Sequence, residues 1–456
     1  MWRRARIKRL ENEISNRQSK LIRDLDPRCR NLSLPVAQGP PSLVVGALLA
    51  GFCCFLGFVW GQSLMLDATD TGSNTAGDGV ARLTSATGTG YQSIYGLSRG
   101  DCLNLLGCDG ASSIKNAFRV LYRDIAFAEM PVIPRRLRKV LGDDRDGLPE
   151  LVIEHSIQSP EDGSFKLIFR VPLTDFRIES VLMPERGRLT HCVSSQVGCA
   201  QGCHFCQTGK MGLLRQLSTA EIVAQVVLAN RHWSLANATG DSPVAVPSGF
   251  GAPRVTNVVF MGMGEPLDNL DAVLKACEIL SDPWGLGIGI SKITVSTVGL
   301  PVQMTRLLQQ SKVQLALSLH SPFDEQRSRM MPINRRYPIA ELLTVLRTHL
   351  RKGSHAFIQY TLIRNVNDSL EHAAALGELL REVPCKINLI PLNEHDGAAF
   401  RRPSLETIVG FSQVLRSMGF VVTVRLSKGR GIDAACGQLV KKVSRDLGNS
   451  NRMPIS

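Results

Sequence analysis

Beyond Pro149 the apolar residues fall into short runs that alternate between two periods. LVIEHSI and SFKLIFRVPL read as a hairpin pair, and RLTHCVSSQV as the strand that follows. STAEIVAQVVLANRHW then changes to helical spacing, and Ser218 with Glu221 three positions on predicts a capping box at its start. Five more such units follow. Their strands are RVTNVVFMG, KITVSTVG, VQLALSLH, HAFIQYTLI and KINLIPLN, and their helices LDAVLKACEILSD, PVQMTRLLQQ, IAELLTVLRTHLRK, SLEHAAALGELLREV and SLETIVGFSQVLRSM. Six strand–helix repeats predict an α/β fold on a parallel sheet with right-handed crossovers: a partial (βα)6 TIM-like barrel, open because it is too short for the eightfold form. With its C-terminal loop this body covers residues 148–445, and 446–456 form a tail. Chemistry is expected at the C-terminal ends of the strands. The stretch SLANATGDSPVAVPSGFGAP reads as a loop insertion without chemistry.

Upstream the pattern changes twice. Residues 91–147, with LSRGDCLNLL, SIKNAFRVLYRDI and IPRRLRKVL, carry apolar residues at helical spacing with Arg and Lys between them. They predict a small helical accessory domain whose basic face either contacts RNA or simply solvates the helices. Residues 1–90 form a region of another kind. The first thirty hold ten Lys or Arg against four acids, and a charge-free run follows, its apolar part at 43–66 being long enough to cross a bilayer. Behind it DATDTGSNTAGDGVARLTSATGTG is poor in apolar residues and is expected to be disordered. Three readings stay open. A two-part import sequence would deliver the protein to an organelle, a plastid or a mitochondrion, and the segment would engage import machinery. A permanent anchor would instead hold a soluble catalytic domain on a membrane. A cytoplasmic location is the third alternative.

Of 456 residues 44% are hydrophobic, which suits a soluble body with a sizeable core rather than a wholly membrane-embedded one. The net charge of +13 favours anionic partners, with nucleic acid and anionic membrane first. The twelve cysteines lack the spacing of a small disulfide framework, yet Cys192, Cys199, Cys203 and Cys206 crowd into CVSSQVGCAQGCHFC. Cys199, Cys203 and Cys206 spell CxxxCxxC just past the first barrel strand. Three thiolates there can hold three irons of a 4Fe-4S cluster and leave the fourth open. The alternative is a structural zinc site with Cys192 as fourth ligand.

Other polar residues sit at strand ends. Gly264 and Glu265 in MGMGEP end the second strand, Ser296 the third, Ser318, Leu319 and His320 the fourth, and Asn393 the sixth. Singly each reads as a turn residue; facing one rim they predict a ring around a cofactor. Cys436 in GIDAACGQL is either a small buried hydrophobe or a thiol reaching over the barrel mouth, with Cys192 as its redox partner.

At these residues the chain resembles the RlmN/Cfr branch of the radical SAM family, the dual-specificity adenosine methyltransferases of ribosomal and transfer RNA. The resemblance runs from about Tyr91 to Gln438 and rests on CVSSQVGCAxxCxFC, TGxxG, LSTAEI, NVVFMGMGEP, SLH, PIN, VND, CKINLIP and IDAACGQL. It implies that Cys199, Cys203 and Cys206 hold a 4Fe-4S cluster, and that Gly264, Glu265, Ser296, Ser318, Leu319, His320 and Asn393 bind S-adenosylmethionine. Two S-adenosylmethionine molecules would be used per turnover. One methylates Cys436, and the other supplies the radical that takes a hydrogen from that methyl group, so that its carbon adds to carbon 2 of an adenine. Cys192 then releases the adduct by a disulfide with Cys436, and Glu179 matches the family's proton acceptor. Read by itself, Glu179 is a solvated strand-end acid.

The resemblance further implies an rRNA substrate of the large-subunit 23S type, tRNA as a second substrate, an electron donor of the flavodoxin or ferredoxin type, and a monomer. Its runner-up is the Cfr-like attack on carbon 8. Outside this class, a noncatalytic zinc-stabilised RNA-binding protein would also explain the charge and the thiols, but not Cys436. Arg335, Arg336, Arg401, Arg402, Lys428 and Arg430 are the expected phosphate contacts. The chain departs from the family in Gln359, where Glu is common, and in the GRGIDAAC run.

Overall fold

The computed structural model describes residues 94–106, the helical positions Ser112, Ile114, Lys115, Phe118 and Tyr122, and residues 151–171, 174–238, 254–394, 400–426, 428–435 and 437–439. The apolar segment at 43–66, the spacer behind it, the run IPRRLRKVL, the tail and Cys436 lie outside the described residues. Among the described residues no helix is long and apolar enough to cross a membrane.

In chain order the elements are α1 (Arg99–Leu106), β1 (Val152–Gln158), β2 (Phe165–Arg170), β3 (Arg177–Glu185), β4 (Arg188–Cys192), β5 (Gln196–Cys199), α2 (Gln207–Lys210), β6 (Gly212–Gln216) and α3 (Thr219–Ala238). Then follow β7 (Asn257–Phe260), α4 (Leu270–Ser281), β8 (Ile293–Thr297), α5 (Pro301–Gln310), β9 (Gln314–Ser318), α6 (Asp324–Met330) and α7 (Ile339–His349). The last are β10 (Ala356–Leu362), α8 (Leu370–Leu380), β11 (Cys385–Pro391), α9 (Leu405–Ser417) and β12 (Val422–Val424).

Ten strands form one open sheet in the order β1-β2-β3-β4-β7-β8-β9-β10-β11-β12. From β4 onward every pairing is parallel. The six predicted repeats are all present. Their strands are continuous aliphatic runs because helices cover one face and the interior the other. The parallel run ends on a seventh strand, β12, whose three residues are too few to show a period of two. At the other edge β1, β2 and β3 add an antiparallel flank joined to β4. The hairpin is as expected, and RIESVLMPE forms a third strand beside it.

Local chemistry sets the helix starts. Ser218 and Glu221 bond each other's backbone N–H at 3.1 and 2.8 Å, the reciprocal pair that the spacing predicts. Ser369 and Ser404 cap α8 and α9, and Pro301 opens α5, where a missing N–H costs nothing. α3 runs on through Ser234–Ala238, into the stretch read as an insertion, because Leu and Ala there favour helix.

α3 is apolar around much of its girth because it is covered on two sides. Phe165 of β2 packs edge-on against Trp233, and Gly96 approaches Ala220 closely. Ile114, Phe118 and Tyr122, four apart, join the same core as the strands, so the accessory segment shares its hydrophobic interior with the body. Two of its described charges are paired with the body: Arg99 lies 3.3 Å from Asp282 and over the Trp284 ring, and Asp101 lies 2.7 Å from Lys275, while Lys115 is exposed.

Candidate active site

The cysteine loop is a small ribbon. β5 and β6 pair antiparallel apart from the main sheet, and Cys199 ends β5 opposite Gly212. Gly198 sits at φ 77°, where a side chain is strained, and a Cβ there would stand 1.9 Å from the Gly212 carbonyl oxygen. Gly198→Ala is therefore expected to break the register of the ribbon. Protein reconstituted anaerobically with iron and sulfide should then hold well under half the wild-type iron by metal analysis; full loading would show that the register does not matter.

The sequence CVSSQVGC ties this ribbon to the loop after β7. Ser194 Oγ donates to the Glu179 carbonyl at 2.6 Å and accepts from Met263 N at 2.8 Å, and Gln225 bonds both the N–H and the carbonyl of Ser194. Gln196 Oε1 accepts from Glu265 N at 2.7 Å. Its side chain passes within 2.6 Å of where a Cβ on Gly264 would be, so Gly264 (φ 102°) clears the way for Gln196. The Glu265 carboxyl is buried and accepts from Leu267 N and Val298 N at 3.0 and 2.9 Å, joining the ends of β7 and β8. Burial pushes it up to about 7 against the pull of these donors.

Cys203 lies in a small apolar patch with Met330, Met331, Ile363 and Leu392, and Phe205, Cys206 and Val298 pack against it. Residues just past β8, β10 and β11 thus meet the cysteine loop, and His204 N donates to the Met330 carbonyl at 3.0 Å. Burial pushes the Cys199 thiol up to about 12 and raises Cys203 and Cys206; nearby thiols add to the rise at Cys199 and Cys203. A metal-bearing partner would reverse this by favouring thiolates.

Cys192 belongs instead to the main core, whereas Cys203 and Cys206 share the patch and Cys199 lies close enough to them for their charges to act on one another. That donor set fits a cluster held at three corners better than a four-thiol zinc site closed by Cys192. Among the described residues no group of Cys, His, Asp or Glu is already drawn in around one metal position.

Around the rim, Ser296 is half-buried on β8 in register with Ala316, and Ser318 ends β9 in register with Gln359. Asn393 is buried directly after Leu392. His320 is buried at φ 59°, a left-handed conformation held from outside. Its Nδ1 accepts from Thr361 N at 2.9 Å, and Asn367 Nδ2 donates to its carbonyl at 2.7 Å. Burial, with the Arg327 charge, lowers its imidazole to about 3, so the ring is neutral and Nε2 carries the proton. The ring stands edge-on to Phe205 at 5.0 Å.

Three residues of this rim escaped the sequence reading as individuals. Arg327 has no exposed surface; its guanidinium donates to the carbonyls of Val298, Ser318 and Leu319 and to Asn334 Oδ1. In DEQRSRM it looks like one more surface charge, and nothing local marks it. Asn334 and Asn367 lie in the PIN and VND stretches, which carried the signal without its reason.

The register also gathers the residues expected to act on a substrate. Lys166 is opposite Val181, which is opposite Cys192, one row across β2, β3 and β4. Glu179, two positions from Val181, shares their face. It is 1% exposed and forms an ion pair with Lys166 at 3.0 Å, so the solvated strand-end reading is wrong: Glu179 lies inside β3, between β2 and β4.

The C-terminal loop covers this face. Lys166 Nζ donates to the Asp433 carbonyl at 3.0 Å, Gly429 N donates to Asp162 Oδ2 at 2.9 Å, and Lys428 Nζ donates to the Pro184 carbonyl at 3.1 Å. Lys428 thereby anchors the loop with an ammonium expected to grip phosphate. On the far side of position 436, Gln207 N donates to the Gly437 carbonyl at 2.9 Å, and Thr208 Oγ1 to the Leu439 carbonyl at 2.7 Å. Arg335 and Arg336 are exposed.

Residues 250–376 match the radical SAM superfamily. The chain is 42% identical over 316 residues to the dual-specificity RNA methyltransferase RlmN of Desulfotalea psychrophila, covering 69% of this chain and 84% of that protein. It is 43% identical over 332 residues to the protein of the same name from Geobacter sulfurreducens, covering 72% and 86%. Among solved structures, a radical SAM methyltransferase from Sphaerobacter thermophilus superposes with a TM-score of 0.67 at 41% identity, over 76% of this chain and 98% of that one.

Proposed function

We propose, from the premise that this chain belongs to the RlmN-type family of radical SAM RNA methyltransferases, that it methylates carbon 2 of an adenosine in large-subunit rRNA and also in tRNA. The methyl group would travel on Cys436. The observation that carries this reading is the docking of the C-terminal loop on both halves of the site. Asp433 is held at the face that bears Glu179 and Cys192, and Gly437 is held beside the cysteine loop.

Cys199, Cys203 and Cys206 would hold a 4Fe-4S cluster, and the strand-end ring from Gly264 to Asn393 would hold S-adenosylmethionine. When bound, the pair supplies methyl groups and the radical that an unreactive aromatic carbon requires. The chain itself fastens the C-terminal loop at Asp433 and Gly437, walls Cys203 with apolar side chains, and would hold a base at Glu179. The adenine has to leave its stack to reach this site, which favours RNA not yet packed into an assembled subunit. Two S-adenosylmethionine molecules per turnover, a flavodoxin- or ferredoxin-type reductant and a monomeric enzyme complete the proposal. For residues 1–90 we propose organellar import, supported by the order of basic, apolar and hydroxylated stretches.

The test is anaerobic incubation of reconstituted protein with unassembled 23S-type rRNA or tRNA, S-adenosylmethionine and reduced flavodoxin, followed by mass spectrometry of the digested RNA. Formation of 2-methyladenosine is expected. Formation of 8-methyladenosine alone would overturn the assigned carbon, and unmodified RNA would overturn the substrate.

A further inference from the structure

We infer that Lys166 is a positioning residue of the reaction, because one ammonium group on β2 holds both the Glu179 carboxylate and the backbone of the C-terminal loop at Asp433. The inference rests on the methyltransferase reading and goes beyond it in assigning Lys166.

Lys166 Nζ is 3.0 Å from Glu179 Oε2 and 3.0 Å from the Asp433 carbonyl, and the two side chains of the pair are 7% and 2% exposed. Stability alone is a weak reason for this pair, since the attraction within a buried ion pair seldom outweighs its desolvation. A charge pair here therefore calls for another reason. Asp433 adopts φ 51°, a left-handed turn that begins the approach to position 436, and the Lys166 bond meets its carbonyl at that bend. The ammonium thus couples the placement of the base to the placement of the loop.

The charged groups that reach the Glu179 carboxyl are Lys166 from β2 and Asp433 from the loop; Ser194, just past β4, meets the Glu179 backbone carbonyl, and Cys192 of β4 stands in the neighbouring row opposite Val181. Burial raises this carboxyl above its ordinary range, Lys166 draws it down, and Asp433 adds to the rise. As a base Glu179 would take the proton from the adenine carbon. In the adduct that C–H bond breaks with its electron pair left in the ring, an O–H bond forms on Glu179, and the adduct's unpaired electron would pass to the oxidised 4Fe-4S cluster. The ionised form is required, so activity rises with pH through this group. Without Lys166 the rising limb moves to higher pH.

Lys166→Met tests this in the full-length reconstituted enzyme. RNA turnover near neutral pH should fall about tenfold, more than methyl loading of the protein read by intact mass, and the rising limb should shift up by about one pH unit, the equivalent of that factor. Hydrogen exchange at residues 429–435 should quicken. Lys166→Arg should restore the limb, and in a Glu179→Gln background Lys166→Met should shift nothing further. If Lys166→Met fails to fold, Lys166→Gln carries the same test. A slower enzyme with an unmoved limb, or unchanged turnover, overturns the inference; loss of methyl loading in wild type itself would instead overturn the underlying reading.

Discussion

Replacing Cys436 with alanine is expected to end methyl transfer to RNA, whereas replacing Cys192 with alanine is expected to trap enzyme and RNA as one covalent species. The two thiols differ in what they do to one bond. In the proposed reaction the Cys436 sulfur carries the methylene that has joined the adenine. Release requires the Cys192 thiolate to attack that sulfur: an S–S bond forms, the S–C bond breaks, and the carbon leaves with the electron pair and takes up a proton. Without Cys436 there is no carrier, so the loss is complete. Without Cys192 the first addition proceeds and stops.

Geometry supports the pairing on one side of the exchange. Cys192 shares its sheet face with Glu179 and Lys166, and the loop that leads to position 436 is fastened to that face at Asp433. A nuclease-sensitive band of raised mass on a denaturing gel, with less than one methylated adenosine per enzyme, is the expected readout for Cys192→Ala. Multiple turnovers by either variant would refute the two-thiol mechanism.

Arg327→Met should lower the stability of the apo-protein by about 3 kcal/mol, because a buried acceptor left without a donor costs about 1–3 kcal/mol and a partly buried one less. Three are exposed to that loss: the Val298 and Ser318 carbonyls and Asn334 Oδ1. The Leu319 carbonyl keeps Ser321 N as a donor. Removing a desolvated guanidinium returns part of the cost, yet no carboxylate bonds it, and methionine supplies no donors.

Burial already lowers the guanidinium to about 10, which marks how dry the position is. The substitution releases the ends of β8 and β9 and frees α6 from them. Lysine at 327 should recover only a fraction, since one ammonium cannot match a planar fork that spans three segments. Urea titration of the three proteins measures this directly. A midpoint for Arg327→Met equal to that of wild type would remove Arg327 from the account of the rim.

The repeats were legible because their signal is local. A parallel strand covered on both faces has to be aliphatic, and a helix lying on it has to carry a stripe. NVVF, ITVST and LDAVLKACEIL therefore declare themselves wherever they fall in a chain. The Ser218–Glu221 box spans four residues and was equally readable. Lys166 was not. In SFKLIFRV it is a charge in an apolar run, and only the pairing of β2 with β3 brings it to Glu179. Gln196 and Gly264 are sixty-eight positions apart in sequence, and their close approach follows from β4 lying beside β7.

By itself, the sequence determined the order and type of the repeats and the thiol spacing of the loop, since both depend on neighbours within a few residues. Tertiary structure decided which charges are buried and whom they face. Arg327 became a tie between strand ends, and Glu179 an interior carboxylate beside Lys166. The reason is that desolvation and hydrogen bonding depend on what packs above a side chain, and that partner comes from elsewhere in the chain.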